Sequence, residues 1–112
     1  MKKQILKPRK TGEERRRNHK VSIEKRIKRY IKNGGKGNLD LSGSPIEKLP
    51  YNLQVGGNLI LSGTPIKELP NNLKVGRNLL LGNTPLSKKY SIGEIRSMIE
   101  EKGGYVKRTI MI

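Results

Sequence analysis

The apolar positions of the chain change their spacing along its length. From Ser22 onward they recur as Ile23, Ile27, Tyr30 and Ile31, the i, i+4, i+7, i+8 spacing of one helix face. Ser22 is the candidate N-cap and Asn33-Gly34-Gly35 the stop. Lys25, Lys28, Arg29 and Lys32 fall on the opposite side, so the pattern predicts a short helix, apolar on one face and basic on the other. Between residues 37 and 86 the apolar positions become leucine pairs two apart: Leu39/Leu41, Leu59/Leu61 and Leu79/Leu81. Alternation puts both leucines of a pair on the inner face of a short strand. After residue 90 helical spacing returns. Ser91 and Glu94 form a capping-box pattern, Ile92, Ile95, Met98 and Ile99 one stripe, and Gly103-Gly104 a stop. Tyr105–Ile112 is read as a closing strand or an extended tail.

The leucine pairs belong to a repeat with a period of 20 residues. Gly37-Asn38-Leu39-Asp40-Leu41-Ser42-Gly43-Ser44-Pro45-Ile46 returns as Gly57-Asn58-Leu59-Ile60-Leu61-Ser62-Gly63-Thr64-Pro65-Ile66, and again from Arg77 to Leu86. Leu49-Pro50-Tyr51-Asn52-Leu53-Gln54-Val55 likewise matches Leu69–Val75. One unit alone has no way to bury its leucines; units placed side by side, about 4.8 Å per strand, close a continuous core. Asn38, Asn58 and Asn78 are then expected to stack, their amides bonding neighbouring backbone groups. Ser44, Thr64 and Thr84 are expected to satisfy turns. The register breaks at Lys89-Tyr90, where Leu-Pro is due, so the repeat stops there.

This pattern, Leu-x-Leu-x-x-(Ser/Thr)-x-Ile-x-x-Leu-Pro-x-x-Leu-x-Val, resembles the short, 20-residue leucine-rich repeat of bacterial and bacteriophage proteins. The resemblance covers about residues 37–106; at the ladder position where that family usually carries asparagine, this chain has Ser44, Thr64 and Thr84. It implies a phage-encoded repeat protein that binds macromolecules and carries no catalytic residues. The expected fold is an α+β repeat, a short leucine-rich-repeat solenoid capped by an N-terminal basic helix and a C-terminal helix. Its expected organisation is a basic arm over 1–20, a cap helix over 21–35, the solenoid over 36–90, and a C-terminal cap helix with tail strand over 91–112.

Charge sharpens the functional expectation. The chain carries 25 Lys/Arg against 9 Asp/Glu, a formal +16. Residues 1–36 hold 15 of the basic and 3 of the acidic residues, a net +12. Such asymmetry points to an arm that meets a polyanion. The arm contributes Lys2, Lys3, Lys7, Arg9, Lys10, Arg15, Arg16, Arg17 and Lys20, with Thr11 and Glu14 suggesting a short helix through Asn18. The cap helix adds Lys25, Arg26, Lys28, Arg29 and Lys32. These residues are the candidate contacts to nucleic acid, DNA or RNA, or to a ribonucleoprotein, because arginine and lysine neutralise phosphates and release counterions. With few aromatic residues interleaved, phosphate contact and shape reading are expected over base stacking.

Asp40, Ile60 and Leu80 occupy the outward strand position of the three units. Two of them are apolar, which marks a candidate protein contact. The alternatives to a nucleic-acid-binding module are a structural component of a virion or other assembly, and an inhibitor of an acidic host protein surface.

No enzyme constellation is present. Zero Cys excludes disulfides, thiol catalysis and Cys-ligated zinc, and a single histidine, His19, leaves no His cluster. The glycine doublets lack the Lys and Ser/Thr of a phosphate loop. No cofactor, metal or small-molecule substrate is expected, and no apolar run is long enough to span a membrane or form a secretory signal. The expected location is cytoplasmic, in a host if the protein is viral, or inside a virion.

Overall fold

The computed structural model describes residues 23–112. The arm, the short helix expected through Asn18 and the candidate N-cap Ser22 lie outside the described residues. Helix α1 runs over residues 23–32. Strands β1 (Leu39–Asp40), β2 (Gln54–Val55), β3 (Leu59–Ile60), β4 (Lys74–Val75) and β5 (Leu79–Leu80) follow, then α2 (Pro85–Lys89), α3 (Ile92–Glu101), β6 (Tyr105–Val106) and β7 (Ile110–Met111). All pairings are parallel. One sheet has the order β1-β3-β5-β7, the other β2-β4-β6.

The repeat explains the register. Leu39 pairs with Leu59 and Leu59 with Leu79, so three identical side chains meet on one inner face. Val55, Val75 and Val106 do the same in the second sheet. Leu59, Leu61, Leu79 and Leu81 are fully buried, and the core continues from Ile23 to Ile110. Burial of such a side chain contributes roughly 1.5–3 kcal/mol. Two polar columns run beside it. The side-chain oxygens of Asn38, Asn58 and Asn78 accept from the N–H of Asn58, Asn78 and Thr109, at 2.7, 2.9 and 3.0 Å. The buried hydroxyls of Ser44, Thr64 and Thr84 each donate to the carbonyl three residues back, at Leu41, Leu61 and Leu81, so they close turns within a unit. Asn52, Asn72 and Asn83 supply the left-handed backbone of the remaining turns.

The expected α+β, capped leucine-rich-repeat solenoid is corrected by this topology. Among the described residues the fold is a small α/β structure with two parallel sheets and three helices. Its strands are only two residues long, and parallel strands need crossover segments between them. The unit repeat also ends too early to form the last layer. Residues 87–111, which do not repeat, complete α2, fold into α3 and then return as β6 and β7, the outermost strands of both sheets. Helix α2 stands where the repeat breaks, with Thr84 and Ser87 capping each other and Leu86 buried. Helix α3 begins at the capping box, Ser91 Oγ accepting from the Glu94 N–H and Glu94 Oε1 from the Ser91 N–H. Its buried stripe is Ile95 and Ile99 with Met98 packed alongside; Ile92 stays 41% exposed.

Candidate functional site

Helix α1 presents the described part of the candidate basic surface. Ile23 and Ile27 are buried against the first unit, which turns Lys25, Lys28, Arg29 and Lys32 outward, and all four are exposed. Arg26 is exposed too but is engaged: its Nη1 donates to the Asp40 carbonyl at 3.2 Å. The Asp40 carboxylate accepts from the Ser42 hydroxyl (2.7 Å) and N–H (3.0 Å). Those bonds hold its pKa below the usual carboxylate value, with a lesser pull from Arg26. The helix ends on Gly34 and Gly35, both at positive φ, with Gly35 N–H bonded to the Tyr30 carbonyl. The Tyr30 hydroxyl lies 2.8 Å from the Gly35 carbonyl and 2.7 Å from that of Gly37, and accepts from the Gly56 N–H at 3.2 Å. Burial pushes its pKa above the ordinary tyrosine value, against a smaller opposing effect of the Gly56 bond.

Ile31, expected in the core, is 47% exposed. At 100° per residue it lies about 80° round the helix from Ile23, while Ile27 and Tyr30 lie closer to the contact line. It lines a groove of about 530 Å³ between α1 and residues 46–50, together with Ile23, Ile27, Ile46 and Pro50. Lys28 and Lys48 on its rim are matched by Glu24 and Glu47, so this groove carries no net charge.

The arm residues Lys2, Lys3, Lys7, Arg9, Lys10, Arg15, Arg16, Arg17 and Lys20 fall outside the described residues. The candidate protein-contact residues do form a row, since Asp40 pairs with Ile60 and Ile60 with Leu80. Asp40 is exposed; Ile60 and Leu80 are half-buried. The row continues onto Met111, which is 45% exposed. Sequence reasoning missed Met111 because its distance from Leu80 departs from the repeat period.

A second surface was also missed. Gln54, Lys74 and Tyr105 form the outward row of the three-stranded sheet, their neighbours Val55, Val75 and Val106 pointing into the core. With Lys36 and Lys107 they line a groove of about 450 Å³. Its sequence signal was weak: the glycine doublets and a lysine at one unit's outward position.

Among the described residues, no group of three or more His, Cys, Asp or Glu side chains is placed to hold a metal ion, and no helix is long and apolar enough to cross a membrane. Comparison with protein-family models, curated proteins and solved structures finds no match. Function therefore rests on the chemistry of the residues themselves.

Proposed function

We propose that the chain is a non-enzymatic binding module that grips nucleic acid, or a ribonucleoprotein, with its basic arm and the exposed face of α1. The observation that carries this reading is the charge distribution. Residues 1–36 hold a net +12, and four cations of α1 share one solvent-facing side while its apolar side is committed to the core. A face of this kind contacts phosphates and positions the molecule without reading bases. The row Asp40, Ile60 and Leu80 serves protein contact. Its apolar continuation to Met111 favours, as a second reading, a role as a component of an assembly, in a host cytoplasm or inside a virion.

The test is fluorescence anisotropy of labelled duplex DNA and structured RNA against the full chain over a salt series. Affinity is expected to fall steeply with salt, with a log–log slope of about −0.9 per phosphate neutralised on duplex DNA. Reversal of Arg15, Arg16 and Arg17 to Glu is expected to weaken binding at least tenfold at moderate salt, and reversal of Lys25, Lys28, Arg29 and Lys32 to flatten the slope further. Affinity that stays within about twofold in both variants would overturn the reading and direct the search to an acidic protein partner.

A further inference from the structure

The groove on the outward face of the three-stranded sheet has a different character from α1. Three lysines, Lys36, Lys74 and Lys107, line it, and no carboxylate among the described residues does. Their distances in sequence conceal this; only the sheet brings them together. Tyr105 stands in the same row as Lys74, one strand away, and is 38% exposed. Gln54 sits on the other side of Lys74 and offers both donor and acceptor. The floor is bare backbone. Gly56 and Gly76 occupy one register position, and a Cβ on Gly76 would run into the Gly56 carbonyl, while one on Gly56 would stand 2.9 Å from the Gly35 carbonyl. The neighbouring backbone thus bars any side chain at these two positions, and the groove floor keeps no side chain there.

We infer that this groove binds single-stranded nucleic acid, with one base stacked on Tyr105 and the flanking phosphates held by Lys36, Lys74 and Lys107. A volume of about 450 Å³ lies in the range of small-ligand pockets and suits a nucleotide of a strand; a duplex is too wide to enter it. Cations beside an exposed aromatic ring are the combination that holds single strands with little base preference. The inference rests on the nucleic-acid reading above but uses different residues, so the two fail separately.

The experiment uses the full chain and short labelled oligouridine, oligothymidine and duplex DNA of equal length. Tyr105→Ala is expected to weaken both single strands about tenfold while leaving the duplex within about twofold. Tyr105→Phe keeps the stacking face and is expected to retain wild-type single-strand affinity, which separates stacking from damage to the fold. The double variant Lys74→Glu, Lys107→Glu is expected to flatten the single-strand salt slope by about 1.4, at about 0.7 per cation. Equal losses on single strand and duplex, or none in any variant, would overturn the inference while leaving the arm reading intact. Absence of all nucleic-acid binding by the wild-type chain would overturn both.

Discussion

The two ends of the strand array are closed in different ways. At the C-terminal end, α3 buries Ile95 and Ile99 almost completely and starts from a full capping box. Arg96 reaches from it to the last layer, Nη1 donating to the Val106 carbonyl at 2.8 Å and Nη2 to that of Arg108 at 2.7 Å. Lys102 adds a bond from Nζ to the Leu69 carbonyl, and its own carbonyl accepts from the Asn72 N–H. At the N-terminal end, α1 buries two isoleucines, leaves Ile31 in an open groove, and sends one arginine, Arg26, to one carbonyl at 3.2 Å. In both places a guanidinium satisfies backbone acceptors that an edge strand would otherwise leave open. One end spends its polar groups on closure. The other leaves four cations exposed at its surface, on the side of α1 where the proposed nucleic-acid contact lies.

Substitutions at matched positions probe this difference. The largest effect is expected from Ile99→Ala, which opens a closed cavity and lowers stability by about 2–5 kcal/mol; Ile27→Ala, beside an open groove, is expected at or below the lower end of that range. Urea denaturation of the two variants checks the order, and equal losses would remove the asymmetry. Arg96→Ala removes two bonds, one of them at the part-buried Val106 carbonyl, and is expected to remove about 1–3 kcal/mol, whereas Arg26→Ala, with one bond at an exposed site, should stay under about 1 kcal/mol. The smallest effect concerns pH and belongs to the N-terminal end alone. The pKa of Tyr30 is raised above its ordinary 10.0 in the fold, so its contribution to stability is complete below that value and is lost as pH rises through the folded value. The stability difference between wild type and Tyr30→Phe is therefore expected to be constant at neutral pH and to shrink in alkaline buffer. A difference that stays flat through the alkaline range would remove the coupling.

The sequence made some of this visible and hid the rest for physical reasons. Leucines two apart and 20 residues on specify an inner face and a register, and the pairing of Leu39, Leu59 and Leu79 follows. The fold class did not follow, because the segment that completes both sheets obeys no repeat. Val106 and Ile110 take the positions after Val75 and Leu79 only once α2 and α3 have used up the intervening chain. Ile31 satisfied the helical stripe as a pattern but lies at its flank in space. Of the candidate site, the basic face of α1 was legible because helical spacing is local. The groove of Lys36, Lys74 and Lys107 was not, since its members sit at unrelated sequence positions and meet only through strand register.

The late return of residues 105–111 also sets an order of events during synthesis. The ribosome makes every other described strand before it makes β6 and β7, and at about 5–20 residues per second the interval after β5 lasts on the order of seconds. Through that interval β4 and β5 expose unpaired edges to whatever lies nearby. The nascent chain is therefore open at the side where the folded molecule is most firmly closed, and Arg96, made before β6 and β7, finds its carbonyl partners at Val106 and Arg108 only when that segment arrives.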